Sequence, residues 1–216
     1  MKIRYLILDL DNTLYPQDSG MLQAIDRRID DYIAATTAVP AGEIPALRQE
    51  YCRRYGTTIG GLVLHQGIQP QPYFEYAYDI DVASFVRPDP QLAEVLRQLE
   101  LIKIVFSNSP LGYVEEVLAT LGIRQTISRV YDIHFSQLVG KPSLSSYRRV
   151  LEDLGAEGAE CILVDDVAAN LAGAAAVGMT PVLMKTAGKA GYDWEIGRIH
   201  DLGRLVPEIM QRQRSA

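Results

Sequence analysis

Four groups of polar residues in this chain could act on an anionic substrate, and each follows an apolar run. Asp9 and Asp11 end the run Ile3-Arg4-Tyr5-Leu6-Ile7-Leu8. Ser107 and Asn108 follow residues 101–106, Lys141 comes after residues 130–135, and Asp165 and Asp166 follow residues 161–164. Two carboxylates one residue apart in extended chain stand on the same side. They repel each other, so a cation belongs between or beside them, and Mg²⁺ suits hard carboxylate oxygens. Serine hydroxyls and a lysine ammonium complement phosphate oxygens. Each group has an ordinary reading by itself. Ser107-Asn108-Ser109-Pro110 makes a helix-capping turn, Lys141 a solvated side chain, and Asp165-Asp166 a polar turn. Four such groups at successive strand ends point to one shared site.

The elements that must position them alternate. The apolar runs at residues 3–8, 101–106, 161–164 and 180–184 read as buried strands, with a shorter one at 130–135. Helical spacing lies between them. Asp89 is a suitable N-cap before Pro90, and Leu92, Val95, Leu96 and Leu99 form an apolar face. Gly122 closes the helix carrying Val114 and Val117. Ser143 opens and Gly155 closes the next, and Gly178 ends a helix at 168–177. A terminal helix spans 202–211, with Pro207 blurring its ends. Strand–helix alternation implies right-handed crossovers and a parallel sheet covered on both faces. Ligands of such sheets bind beyond the carboxyl ends of the strands.

Between Thr13 and Phe85 there is no strong strand signal. Leu22, Ile25, Ile29 and Ile33 mark one helix, and Ile44, Leu47, Tyr51 and Tyr55 a second that stops at Gly56. Residues 58–66 give a third, weakened by Gly60-Gly61, and Pro70 begins a fourth. The predicted organisation is an α/β core over residues 1–15 and 86–216, with a helical domain inserted at 16–85.

The 216 residues suffice for that core and insert. A formal charge of −6 with no long basic run argues against nucleic-acid binding or docking on an anionic membrane. Cys52 and Cys161 match no metal or redox spacing. No apolar run has the length of a membrane span, and residue 1 leads directly into the first strand, so a cytoplasmic protein is expected. The sequence leaves the oligomeric state open.

Asp9-Leu10-Asp11-Asn12-Thr13, then Ser107, then Lys141, then Asp165-Asp166, resembles the ordered motifs of the haloacid dehalogenase-like superfamily. The resemblance implies a Rossmann-like core with a C1-type cap. It implies Asp9 as a nucleophile forming an aspartyl-phosphate, and Asp11 as the acid for the leaving oxygen and then the base for water. A proton on Asp11 is favoured by burial. It also implies Mg²⁺ held by the Asp9 carboxylate, the Asp11 backbone carbonyl and Asp166, with Asp165 binding directly or through water. Ser107, Lys141 and the backbone N–H of Asn108 would hold the phosphoryl oxygens. Asn170, one helical turn past the acid pair, either orients that pair or is a buried polar residue bonding to a loop. Dehalogenase members lack the second aspartate and the metal, so a phosphatase or phosphomutase is favoured here. Phosphonatases need a cap lysine, and residues 15–85 contain none.

Residues 51–62 of the insert, taken with His65, Tyr73, residues 78–81 and residues 87–89 just beyond it, are similar to the yeast- and plant-type pyrimidine 5′-nucleotidases. That family usually has His where Tyr78 stands and a charged residue where Ser143 stands. The expected substrate is a small phosphorylated metabolite, a pyrimidine nucleoside 5′-monophosphate first. Tyr55, Thr57, Thr58 and Gly61 are the candidate specificity residues. Alternatives are another small ester such as a sugar phosphate or, in a different class, a non-catalytic phospho-acceptor like a receiver domain. Receivers place the paired acids early, whereas this chain places them late.

Overall fold

Tyr5–Leu8 forms β1, and all four of its side chains are buried. Such a run is stable only with both sheet faces covered. The other strands are β2 Ile102–Phe106, β3 Arg129–Tyr131, β4 Cys161–Asp165, β5 Thr180–Met184 and β6 Glu195–Ile196. The computed structural model describes residues 2–185 and 191–215. In it these strands form one parallel sheet in the order β3-β2-β1-β4-β5-β6. Tyr5 pairs with Ile102 on one side and Cys161 on the other. The chain builds outward from β1 in one direction and from β4 in the other. Their carboxyl ends therefore lie at the point where the winding reverses, the usual ligand crevice of such sheets.

The inserted segment after β1 forms four helices: α1 Met21–Thr36, α2 Ile44–Tyr55, α3 Thr58–Gln66 and α4 Pro70–Ala77. Gly56 ends α2 at φ +77°, a conformation that favours glycine, and the Thr57 side chain caps α3 by accepting from Gly60 N–H at 3.2 Å. The remaining helices are α5 Pro90–Gln98, α6 Leu111–Leu121, α7 Leu144–Leu154, α8 Ala168–Ala176 and α9 Leu202–Ser215. Asp89 caps α5, accepting from Leu92 N–H at 2.9 Å.

Alternation along β1 divides the core. Tyr5 and Ile7 pack with Tyr147 and Val150 of α7 and Leu171 of α8. Leu6 and Leu8 face the opposite side, where α5, α6 and α9 pack. That second cluster continues without a break into Ile25, Ile33 and Tyr73 of the inserted helices, so cap and sheet share one apolar body.

Several local expectations are corrected. The predicted strand at 130–135 ends at Tyr131, because the Asp132 carboxylate accepts from the N–H groups of Phe135 and Leu111 and turns the chain. β6 was not expected, having only two residues and no apolar run. Ser143 precedes α7 without capping it; its hydroxyl pairs with that of Ser145. Helix α8 stops one residue early, at Ala176. Helix α9 contains Pro207 and continues past residue 211.

Candidate active site

Beyond β1 the Asp9 N–H still bonds the Val164 carbonyl at 2.9 Å, so the sheet itself places this residue. The chain then turns sharply. Thr13 and Leu14 both donate N–H to the Leu10 carbonyl, and Asn12 adopts φ +58°, a region asparagine tolerates. The turn folds Thr13 back, and its hydroxyl donates to Asp9 Oδ2 at 3.2 Å.

Lys141 is 1% exposed and donates from Nζ to Asp9 Oδ1 and Asp165 Oδ2, both at 2.7 Å. Burial opposes its charge, but Asp165 and Asp9 outweigh that and hold it above the usual lysine range. Burial lifts the Asp9 carboxyl well above the ordinary carboxylate range; Lys141 pulls it back, while Asp165 and Asp11 add to the rise. Asp165 is fully buried. Its oxygens accept from Lys141, from the Asn170 amide at 2.9 and 3.1 Å, and from Val167 N–H at 2.9 Å. Asn170 thus holds Asp165, which in turn holds the lysine.

Asp11 is half-buried and accepts three hydroxyl donors. Tyr15 Oη lies 2.5 Å and Tyr113 Oη 2.8 Å from its Oδ1, and Ser109 Oγ lies 2.7 Å from its Oδ2. The two phenol oxygens are 3.0 Å apart. Burial, then the Asp11 charge, raises both phenols far above their usual range, so they stay protonated. The sequence reading missed these three partners. Only Tyr15, four residues from Asp11, carried a local signal.

Asp166 is half-buried and takes a 3.4 Å hydrogen bond from the Asn12 amide. Burial, with Asp165 beside it, pushes its carboxyl up to about 6. One oxygen from each of Asp9, Asp165 and Asp166 lies within 4.8 Å of the others. Three clustered carboxylates against one lysine leave an excess of negative charge. A hard divalent cation fits that donor set and that deficit.

Asp9, Asp11, Asn108, Lys141 and Asp166 line the floor of a cleft of about 330 Å³. Ser107 does not line it: the side chain is fully buried and its Oγ accepts from Ser109 N–H at 3.0 Å. The structure thus does not bring Ser107, the expected phosphate contact, to the cleft lining, whereas Ser109 does line it, with its hydroxyl donating to Asp11. The Asn108 side chain pairs with the Lys141 backbone in both directions, at 2.8 and 2.9 Å, and donates to the Gly56 carbonyl at 3.3 Å. One amide thus ties the lysine segment to the cap.

The roof comes from α1–α4. Thr57 and Thr58 line it, together with Ile29, Ile59, Tyr73 and Phe74. Thr57 is also fastened to the core, donating to the Leu138 carbonyl at 3.0 Å. Tyr55 and Gly61 are not brought into the cleft. The Tyr55 hydroxyl pairs with His65 Nε2 at 2.6 Å. Gly61 makes room for Tyr51, since a Cβ there would stand 2.1 Å from its ring. Among the described residues lining the cleft, Lys141 is the only Lys or Arg.

Residues 3–178 match the family model for haloacid dehalogenase-like hydrolases. A phosphatase of Mycobacterium tuberculosis is 25% identical over 231 residues, covering 95% of this chain and 98% of that protein. The L-2-haloacid dehalogenase of Xanthobacter autotrophicus superposes with a TM-score of 0.64 at 17% identity, over 95% of this chain and 98% of its own. A phosphatase structure from Thermococcus onnurineus gives 0.60 at 20% identity, over 94% and 98%. These structural likenesses concern the fold.

Proposed function

The chain belongs to the haloacid dehalogenase-like hydrolase family, and on that premise we propose a Mg²⁺-dependent phosphomonoesterase acting on a pyrimidine nucleoside 5′-monophosphate. The observation that carries the phosphatase reading is the convergence of Asp9, Asp11, Lys141 and Asp166 on one cleft at the carboxyl end of β1. Asp9 attacks phosphorus and the ester oxygen leaves, taking a proton from Asp11. Water then attacks the aspartyl-phosphate, giving its proton to Asp11 and releasing Asp9. Thr13 and Lys141 fix the two Asp9 oxygens, and the Lys141 charge also attracts the phosphoryl group.

Asp9, Asp166 and the Asp11 carbonyl would hold Mg²⁺, which when bound offsets the charge of the phosphoryl oxygens. The Asp165 oxygens already serve Lys141, Asn170 and Val167, which favours a contact through water for that residue.

The roof supports the substrate assignment. A single phosphoryl group finds Lys141, and the roof residues lining the cleft offer hydroxyls, the Cys52 thiol, aromatic rings and aliphatic carbon. That chemistry suits an uncharged aromatic leaving group carrying edge hydrogen bonds. It disfavours leaving groups with a second phosphate or a carboxylate.

The test is phosphate release from UMP, CMP, AMP, GMP, a hexose phosphate and p-nitrophenyl phosphate with Mg²⁺. UMP or CMP is expected to exceed the purine nucleotides in kcat/KM by about tenfold or more. Equal use of purines would end the nucleotidase reading and leave a general phosphatase. No turnover of any ester would remove the phosphatase reading and revive the receiver-like one.

A further inference from the structure

Two of the three side chains that grip Asp11 do not themselves reach the cleft. Tyr15 and Tyr113 are 2% and 4% exposed, and neither lines the cavity that Asp11 and Ser109 line. Tyr15 comes from the turn after β1 and Tyr113 from the first turn of α6, 98 residues apart. Both hydroxyls nevertheless meet at the same carboxylate oxygen, with Ser109 on the other. The cap reaches this pair too, since the Tyr78 ring packs edge-on against Tyr113 with centroids 5.1 Å apart.

We propose that Tyr15 and Tyr113 are positioning residues that hold the Asp11 carboxyl in line with the leaving oxygen. This rests on the phosphatase reading above. In the first step the Asp9 Oδ–P bond forms as the bond from phosphorus to the ester oxygen breaks. The electron pair goes to that oxygen, and the proton comes from Asp11. In the second step water oxygen bonds to phosphorus, the Asp9 Oδ–P bond breaks, and the water proton returns to Asp11. A carboxyl on one short side chain has several staggered orientations, and proton transfer needs one of them within hydrogen-bond reach. Donors on both oxygens select a single orientation. Paired phenols also serve both proton states. With Asp11 ionised, each phenol donates to it. With Asp11 carrying the proton, one phenol can donate to the other across 3.0 Å.

The test separates positioning from packing through the leaving group. p-Nitrophenolate leaves without needing a proton, whereas the alkoxide of UMP or of glycerol phosphate needs one. The parameter kcat/KM reports steps up to formation of the phosphoenzyme. For Tyr15→Phe/Tyr113→Phe with Mg²⁺, kcat/KM for the alkyl ester is expected to fall about a hundredfold. For p-nitrophenyl phosphate it is expected to change less than about threefold. In an Asp11→Asn background the same pair of changes is expected to have no further effect on the alkyl ester. Equal losses on both esters, an additive effect in the Asp11→Asn background, or no loss at all would each overturn the proposal. Should the double variant fail to fold, Tyr15→Phe alone, which keeps the buried ring, is expected to show the same selective loss at about tenfold; its absence overturns the proposal equally. A wild-type protein inactive on every monoester overturns the phosphatase reading itself, and this inference with it.

Discussion

On the floor of the cleft, Lys141 lies buried between Asp9 and Asp165, and side-chain donors hold both oxygens of Asp9, Asp11 and Asp165. On the roof, α1–α4 offer aliphatic and aromatic side chains, with Thr57 and Thr58 supplying hydroxyls. The two regions solve different problems. A phosphoryl group in transfer carries charge that must meet fixed partners, and buried ions stay fixed only when each is paired. A leaving group needs selection, and apolar surface with one or two hydrogen bonds selects without holding too tightly. Substitutions on the floor are therefore expected to stop chemistry or unfold the site, and substitutions on the roof to change preference.

The largest effect tests the floor. Asp9→Asn keeps the shape of the side chain but removes the nucleophile, so kcat is expected to fall by roughly 10⁴-fold or more. Circular dichroism and the thermal midpoint are expected to stay near wild type. A variant retaining a tenth of wild-type turnover, free of contaminating enzyme, would end the assignment. Next comes the metal. Excess EDTA is expected to abolish turnover and Mg²⁺ to restore it, and Asp166→Ala to raise the Mg²⁺ concentration needed for half-maximal rate by about tenfold or more. Full activity in EDTA would place the chemistry with metal-free hydrolysis.

Lys141→Met sharpens the contrast through stability. It leaves Asp9 and Asp165 buried and facing each other, at a cost of about 3–5 kcal/mol. For a chain of this length that is a fall in Tm of about 10 °C. Loss of a roof residue such as Ile29→Val is expected to cost about 1 kcal/mol. Comparable Tm shifts for the two would mean that the floor is not held by its charges.

Most of the framework was legible because its signals are local. An apolar run with acids at its end gave β1 and Asp9, and Gly56, Gly122 and Gly155 stopped helices where glycine can take positive φ. The four acids and Lys141 could be read from their order along the chain. What escaped depends on packing between distant segments. Tyr113 and Ser109 reach Asp11 across 102 and 98 residues, and no periodicity carries that information. The burial of Ser107, whose oxygen accepts from the nearby Ser109 N–H, likewise depends on how the turn after β2 packs. Tyr55 was placed on the correct helix but faces His65, because a helical pattern fixes a face and not its partner. Strand β3 is shorter than its apolar run because the Asp132 side chain competes for backbone N–H groups.

The smallest effect tests the roof, and two adjacent threonines make the comparison. Thr58 lines the cleft, and apart from a 3.4 Å contact with Cys52 Sγ its hydroxyl is available to a ligand. Thr57 also borders the cleft, but its hydroxyl is engaged with Gly60 N–H and the Leu138 carbonyl. Replacing Thr58 by Val keeps the shape and removes one donor and acceptor. A base edge left unpaired costs about 1–3 kcal/mol, so kcat/KM for UMP or CMP is expected to fall about tenfold or more. Hydrolysis of p-nitrophenyl phosphate, which has no such edge, is expected to stay within about twofold. Thr57→Val removes a helix cap instead, lowering stability by about 1 kcal/mol. Its effect on the two substrates is expected to be equal. If Thr58→Val lowered both substrates alike, the Thr58 hydroxyl would belong with that of Thr57 to the folding of the cap. The selectivity of the roof would then rest on its rings and aliphatic surface alone.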